Sequence, residues 1–232
     1  IVPNLDVRIC DEEGRDLPVG VNGEIVVRGE NVMAGYWRNE EATSAALRDG
    51  WLFTGDLGHM DSDGYLYVLG RVKSLLINGT GEKYSPEGIE EALVSGTPYI
   101  DQVMLHNDHD PYTVALIVPN RENLRDWLGE KGLSCDSAEG QDAVIELFQA
   151  QIDSFREGGS RDGLFEKEWL PAAFAILGEG FTEENRLLNS SMKLVRRKVK
   201  EFYQDRLDHL YSAEGRDPSN RRNRTIISRL DE

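Results

Sequence analysis

The sequence predicts an α+β fold in which a β-rich first part, residues 1–72, precedes a small α+β domain, residues 73–211. A polar tail, residues 212–232, follows. Two observations support this class. Short segments of the first part alternate apolar and polar residues, as half-buried strands do. In the second part, strand patterns are interleaved with helical ones. With 39% hydrophobic and 29% charged residues among 232, the composition is that of one or two globular domains.

The β-rich part is built from short strands separated by turns. Residues 5–9 alternate apolar and polar side chains, and residues 23–29 form an apolar run bounded by glycines. Further strands are predicted at 51–54, which lead into a loop around Gly55 and Asp56, and at 65–69. A short helix is predicted over residues 40–47.

The second part begins with a short strand at 74–78 and a helix that starts at Ser85-Pro86, an N-cap residue followed by proline at the first helical position. A polar loop over residues 106–111 joins two strands. A final helix over residues 193–211 has apolar residues at three- to four-residue spacing. The remaining elements are strands at 100–105, 112–118 and 172–177 and helices at 121–131 and 143–155. Residues 212–232 are polar and arginine-rich and indicate a loosely held tail.

The composition also excludes several classes of protein. Lysine and arginine number 26 and aspartate and glutamate 42, so the net charge is −16, which argues against a general nucleic-acid binder. No apolar run approaches the roughly 18 residues of a transmembrane helix. Cys10 and Cys135 cannot form a disulfide scaffold, and reduced thiols indicate a cytoplasmic protein. The absence of a starting methionine and of a signal peptide suggests a piece of a longer protein.

Thr54-Gly55-Asp56 is the first candidate site. A carboxylate at a strand end beside glycine can accept two hydrogen bonds from a vicinal diol such as that of ribose. The alternative is a turn aspartate that bonds its own backbone.

The second candidate is Gly70-Arg71-Val72-Lys73, where the two parts of the chain meet. Domain junctions favour both ligand sites and hinges. The alternative is a pair of solvated surface charges.

The third candidate is Lys193, which follows Asn189, Ser190 and Ser191 near the start of a predicted helix. A lysine there adds a mobile positive charge to an anion site. The alternative is that Lys193 belongs to the basic face of an amphipathic helix.

No metal site is predicted. The run from His106 to Asp110 lies in a polar loop without further ligands nearby in sequence. Residues 61–64 begin like a calcium loop but lack its later acidic positions.

Taken together and in this order, the motifs resemble the C-terminal part of the adenylate-forming enzymes, the superfamily of acyl-CoA synthetases, luciferases and peptide-synthetase adenylation domains. The residue types and their order agree over most of residues 1–210. The matching residues are 23–29, Gly35-Tyr36-Trp37, Thr43, 50–56, 63–66, Gly70-Arg71, Gly81, Pro86, Ile89-Glu90 and Lys193. Within the superfamily the sequence is most similar to long-chain fatty-acid–CoA ligases, on the evidence of residues 169–176, 181–185 and the serine-containing run into Lys193.

The resemblance implies a role for each candidate. Asp56 would bind the ribose hydroxyls of ATP, and Arg71 would contact the nucleotide sugar. Lys73 would be the hinge about which a small mobile domain rotates. Lys193 would bridge the substrate carboxylate and the α-phosphate during adenylation, and the loop around Gly81 would line the path of CoA.

The resemblance also implies the reaction and its partners. A long-chain fatty acid would be activated with ATP and Mg²⁺ and transferred to CoA. The β-rich part would be the end of a large adenylating domain whose N-terminal portion is missing, so the 232 residues alone should be inactive. Peripheral membrane contact is allowed, since the product is amphipathic. The alternatives are an adenylating enzyme with another acid or a carrier-protein acceptor, and a non-catalytic binding module of the same fold.

Overall fold

A computed structural model describes residues 4–230, and the chain divides into two units after Leu75. The boundary predicted from the sequence lies three residues earlier. The first unit contains the strands β1 (Leu5–Cys10), β2 (Gly23–Gly29), β3 (Leu47–Arg48), β4 (Trp51–Met60) and β5 (Leu66–Arg71) and the helix α1 (Glu40–Ala46). A single turn of 3₁₀ helix (Val72–Ser74) follows β5.

The first unit is an antiparallel sheet in which β4 is the longest strand and pairs with three neighbours. Its strand order is β1-β2-β4-β3, and β5 also pairs with β4. Between β2 and β4 the register shifts, because only Ile25 lies between the paired residues Glu24 and Val26 whereas residues 54–56 lie between their partners. Such an irregularity is a β-bulge, which bends a strand and redirects its side chains.

The core of this unit is small and centres on one tryptophan. Trp51 is buried with Cys10 and Val26, and the guanidinium groups of Arg8 and Arg28 lie 3.5 Å and 4.5 Å from the centroid of its ring. Cation–π contacts of this kind add about 0.5–1 kcal/mol each at partly exposed sites.

The second unit contains two three-stranded sheets and six helices among the described residues. Its strands are β6 (Leu76–Asn78), β7 (Lys83–Tyr84), β8 (Ile100–His106), β9 (Asp108–Asp110), β10 (Val114–Pro119) and β11 (Ala173–Ile176). Its helices are α2 (Glu87–Ser95), α3 (Arg121–Glu130), α4 (Ala138–Asp153), α5 (Arg196–Phe202), α6 (Gln204–Leu210) and α7 (Arg221–Ile227). One sheet has the order β11-β10-β8 and the other β7-β6-β9.

The sheet β11-β10-β8 is covered on both faces, which is why every residue of β10 is buried. Ala115 and Ile117 pack into a cluster with residues of α2, α3 and α4. Val114 and Leu116 point to the other face and pack with residues of α5 and α6. Because side chains alternate along a strand, one apolar run supplies both cores. Together with the first unit, this confirms the predicted α+β class.

Two predicted elements of the second unit are wrong. Residues 106–111 are not only loop, since β9 pairs in parallel with β6. The helix predicted over 193–211 is two helices, α5 and α6, because the backbone leaves helical geometry at Tyr203. The ring of Tyr203 packs edge-on against Phe181, with centroids 6.2 Å apart.

The predicted tail is also wrong over its described residues, because it contains α7. Ile227 and Leu230 are buried in the main cluster of the second unit. Asn223 of α7 is fully buried beside β11, an outer strand of its sheet. Its Oδ1 accepts the N–H of Ile176 at 2.9 Å, and its Nδ2 donates to the carbonyls of Phe174 and Pro218, each at 3.0 Å. One side chain thus satisfies backbone groups that the outer edge of a sheet would leave unpaired.

This arrangement predicts that Asn223→Leu lowers the free energy of unfolding of the second unit by about 2–4 kcal/mol, because it leaves buried backbone groups without partners. Urea unfolding followed by circular dichroism measures the loss. Thr225→Ala, an exposed change on the same helix, is the control and should shift stability by no more than about 0.5 kcal/mol. Equal losses in the two variants would contradict this role of Asn223.

Candidate functional site

The bulge in β4 determines where Asp56 lies. Gly55 has φ +73°, a conformation that glycine adopts without strain. Thr54 Oγ1 donates to the carbonyl of Ile25 at 2.7 Å and accepts the N–H of Asp56 at 3.0 Å. Glu24 Oε1 accepts the N–H of Gly55 at 2.8 Å. Asp56 therefore lies within a strand rather than in the predicted loop, and the bulge is fixed by side chains on both sides.

Asp56 and Arg71, predicted separately, are brought together by the pairing of β4 with β5. They are direct partners in the register, and Arg71 Nη1 lies 2.5 Å from Asp56 Oδ1. Both side chains remain open to solvent, with 35% of Asp56 and 55% of Arg71 exposed. Asp56 Oδ2 accepts no hydrogen bond from any residue in the range 4–230, so it can accept one from a ligand hydroxyl.

A cleft of about 440 Å³ opens beside this pair within the first unit. The face formed by α1 contributes small residues, and Glu24 and Arg71 contribute opposite charges. The lining residues are Glu24, Tyr36, Ala42, Ala45, Ala46, Arg48, Phe53, Thr54, Gly55, Arg71, Val72 and Lys73. An apolar wall with a few converging polar groups is typical of a small-molecule site. A Cβ atom added at Gly55 would lie 3.2 Å from Arg71 Nη2. Glycine at this position therefore leaves room for the Arg71 guanidinium at the side of the cleft.

Lys73 and Gly81 occupy turns on either side of the division between the units. Lys73 is exposed in the 3₁₀ turn, two residues before the division. Gly81 has φ +88° in a turn that Asn78 organises, since Asn78 accepts hydrogen bonds from Thr80 and from the N–H of Glu82. Apart from Gly81 and its two chain neighbours, no described residue has an atom within 4 Å of the position that a Cβ atom would take at Gly81.

Lys193 lies in a tight loop and not in the first turn of a helix, as the sequence predicts. Asn189 organises this loop, because its Oδ1 accepts the N–H groups of Ser191 and Lys193 at 2.9 Å and 3.0 Å. The N–H of Asn189 in turn donates to the carbonyl of Lys193 at 2.9 Å. Met192 adopts φ +58°, which is uncommon for a residue with a side chain. These bonds hold the backbone of Lys193 before α5 begins.

The side chain of Lys193 is exposed, and within residues 4–230 no carboxylate lies within ion-pair distance of its ammonium. By contrast, two other cations in this region are paired: Arg197 with Glu201, and Lys200 with Asp108, both at 2.8 Å. An ordered backbone that presents an unneutralised lysine is suited to binding an anionic ligand.

Two features of the sites were not predicted from the sequence. Glu24 supports the bulge by accepting the N–H of Gly55, whereas the sequence pattern places it only within a strand. Glu90 and Arg196 form a largely buried ion pair 106 residues apart in sequence, and nothing in a single sequence pairs residues so distant. Among the described residues, no group of three or more histidine, cysteine, aspartate or glutamate side chains is arranged to hold a metal. No helix in the same range has the length and apolar character needed to cross a membrane.

Comparison with known proteins identifies the family. The AMP-binding enzyme family matches residues 1–37. The chain is 32% identical to fatty acyl-CoA synthetase B of Dictyostelium discoideum over 82% of its length and 28% of that protein. It is 33% identical to a long-chain-fatty-acid–CoA ligase of Mycobacterium tuberculosis over 87% of its length and 33% of that protein. The chain thus spans about a third of the length of these relatives.

A solved structure agrees with this assignment. The adenylation domain of a carboxylate reductase from Mycobacterium chelonae is similar with a TM-score of 0.73 and 27% identity, over 90% of this chain and 31% of that one. Sequence and fold therefore agree with the resemblance drawn from the motifs. The chain belongs to the adenylate-forming superfamily of AMP-binding enzymes, which includes the fatty acyl-CoA synthetases.

Proposed function

We propose that the chain is part of an AMP-forming acid–thiol ligase that activates a long-chain fatty acid with ATP and transfers it to CoA. The observation that carries this proposal is the pairing of Asp56 with Arg71 at the edge of the cleft. The similarity to two fatty acyl-CoA synthetases supports the choice of acid. Because the chain spans about a third of those relatives, the acyl pocket and much of the nucleotide site would come from further residues of a longer enzyme.

In this proposal Asp56 holds the ribose of ATP. Its Oδ2 is available to a ribose hydroxyl, and the contact of Arg71 Nη1 with Oδ1 holds the carboxylate in its orientation. Hydrogen bonds to a charged acceptor contribute about 1.5–3 kcal/mol each. The cleft beside the pair, with its small residues from α1, would accept the rest of the nucleoside. Tyr36, half-exposed on the cleft wall, offers an aromatic surface there.

Lys193 carries the proposed chemistry of the first half-reaction. A carboxylate oxygen of the fatty acid attacks the α-phosphorus of ATP. The new oxygen–phosphorus bond forms as the bond to the β-phosphate oxygen breaks and pyrophosphate leaves. Two anions approach each other in this step, and a lysine ammonium between them lowers the energy of the transition state.

In the second half-reaction the CoA thiolate attacks the acyl carbon, and AMP leaves with the electrons of the carbon–oxygen bond. We assign Gly81 to the path of CoA, because its turn offers open space and a backbone conformation that excludes most side chains. We assign Lys73 to the hinge, because it lies in a single turn of 3₁₀ helix two residues before the division of the chain. Mg²⁺ would enter with the phosphates of ATP, whose charge it neutralises.

The intact enzyme would act in the cytoplasm, with peripheral contact to membranes through its amphipathic product. The 232 residues alone would be inactive, since they lack the acyl pocket and part of the nucleotide site.

A second candidate is an adenylating enzyme with another acid or a carrier-protein acceptor. The structural similarity to the adenylation domain of a carboxylate reductase supports it. A non-catalytic module of the same fold is a weaker candidate, because Asp56, Arg71 and Lys193 are all present.

Release of AMP by the full-length protein separates these candidates. With palmitate as the acid, we expect AMP release to depend on CoA and to exceed the rate with an aryl acid such as benzoate by at least about tenfold, the discrimination that a fitted apolar pocket provides. A preference for benzoate would contradict the long-chain assignment. Release that needs a phosphopantetheinylated carrier protein instead of CoA would contradict the acceptor.

Replacing Lys193 should affect one half-reaction only. In the full-length protein, Lys193→Ala should slow formation of the acyl-adenylate by about 10²- to 10³-fold, because it removes a charge that stabilises the transition state. Transfer from supplied acyl-adenylate to CoA should change by less than about threefold. Rapid-quench measurement of each half-reaction tests this, with Lys198→Ala as the matched control. Equal loss in both half-reactions would contradict the assignment.

Replacing Asp56 should weaken nucleotide binding. Asp56→Asn keeps the size of the side chain but removes its charge, so we expect the Kd for ATP to rise about 10- to 100-fold in the full-length protein. Equilibrium dialysis measures the change. Asp63→Asn, an exposed turn residue of the same unit, should leave the Kd unchanged. A Kd for ATP unaltered by Asp56→Asn would show that the ribose lies elsewhere.

A further inference from the structure

The backbone of Leu105 is bound on its outer side by two charged side chains. Leu105 lies in β8, an outer strand of the sheet β11-β10-β8. Its N–H donates to Glu90 Oε1 at 2.6 Å, and its carbonyl accepts from Arg196 Nη1 at 3.3 Å. Arg196 Nη2 also pairs with Glu90 Oε2. We call this closed ring of contacts, formed by Glu90, Arg196 and the backbone of Leu105, the edge clamp.

The edge clamp joins three elements, and its two charged side chains are largely shielded from solvent. Glu90 belongs to α2, Leu105 to β8, and Arg196 is the first residue of α5. Only 12% of the Glu90 side chain and 20% of the Arg196 side chain are exposed. Burial raises the pKa of the Glu90 carboxyl, and the Arg196 guanidinium opposes this rise. In such a largely buried pair, loss of one member leaves the other charge uncompensated.

The edge clamp lies directly after the Lys193 loop in the chain. Arg196 follows Lys193 by three residues, and the intervening Val195 donates its N–H to the carbonyl of Leu187 at 2.8 Å. Asn189 fixes the shape of the loop through its bonds to Lys193. Those bonds are internal to the loop, however, and do not attach it to the sheet. Arg196 supplies a charged attachment from the end of the loop to β8 and α2.

We propose that Glu90 and Arg196 are positioning residues for adenylation, which hold the Lys193 loop against the edge of β8 so that the ammonium reaches the reacting carboxylate and α-phosphate. This inference rests on the proposed role of Lys193. Displacement of a catalytic group by about 1 Å can cost on the order of 10²-fold in rate. A clamp that only stabilised the fold would instead affect both half-reactions alike.

The first test uses Glu90→Gln in the full-length protein. We expect the rate constant of acyl-adenylate formation to fall about 10- to 100-fold, while the KM for ATP and the rate of transfer from supplied acyl-adenylate to CoA change by less than about threefold. Glu201→Gln is the matched control, because it breaks the exposed pair with Arg197 on the same helix. Arg196→Lys retains the charge without the two-sided geometry of the guanidinium, so we expect a smaller fall of about 3- to 10-fold. Parallel losses in both half-reactions would overturn the proposal.

A double-mutant cycle then separates positioning from stability. Since the edge clamp acts through Lys193, Glu90→Gln should slow adenylation by less than about twofold further in a Lys193→Ala background. Multiplicative losses would overturn the proposal. If Lys193→Ala alone leaves adenylation unchanged, the proposed function has failed.

Hydrogen exchange tests the edge clamp without reference to activity. The amides of residues 189–195 should exchange at least about tenfold faster in Glu90→Gln than in Glu201→Gln, whereas those of β11 and α7 should be unaffected. Equal exchange of residues 189–195 in the two variants would overturn the attachment of the loop.

Discussion

The backbone groups on the two outer edges of the sheet β11-β10-β8 need hydrogen-bond partners. The side chains that supply these partners determine where several helices of the second unit pack. A buried N–H or carbonyl without a partner costs about 1–3 kcal/mol. On the β11 edge the partners are the Asn223 amide and Arg206, which donates to the carbonyl of Ile176 at 2.7 Å. On the β8 edge they are Glu90 and Arg196. Each partner belongs to a helix, so satisfying an edge also fixes the position of a helix.

The same constraint operates in the first unit around the bulge of β4. The bulge leaves the N–H of Gly55 and that of Asp56 outside the regular ladder, and Glu24 and Thr54 accept them. Asp56 is thereby held opposite Arg71 while its second oxygen stays open. Irregular strand geometry that is fixed by side chains is a common way to aim a functional group. The proposed nucleotide contact thus depends on residues that would not touch the nucleotide.

Local patterns in the sequence were sufficient for most elements. Alternation predicts the strand at residues 5–9, bounding glycines predict the strand at 23–29, and Ser85-Pro86 marks the start of α2 within two residues. Asp56, Arg71 and Lys193 were selected from their motifs, but a single sequence does not show that β4 and β5 would place Asp56 against Arg71. Lys73 is expected at the junction of the two parts, and it lies two residues before the division of the chain.

The failures have a common physical cause. The polar composition of residues 212–232 predicts a tail, yet the polar side chain of Asn223 satisfies a buried strand edge. The sequence places Lys193 in the first turn of a helix because the apolar spacing begins at Leu194, whereas in the structure the Asn189 side chain binds the backbone N–H of Lys193. In both places a side-chain-to-backbone bond outweighed the pattern. Such bonds depend on tertiary neighbours, which periodicity does not describe.

The central claim is that Asp56 and Arg71 hold the nucleotide sugar while the edge-held loop delivers Lys193 to the acyl phosphate. A crystal structure of the full-length protein with a non-hydrolysable acyl-sulfamoyl adenosine would test it most directly. We expect both ribose hydroxyls within hydrogen-bond distance of Asp56 and Arg71, and the Lys193 ammonium beside the acyl carbonyl and the sulfamoyl oxygens. A ribose held by other residues, with Asp56 still bound only to Arg71, would contradict it.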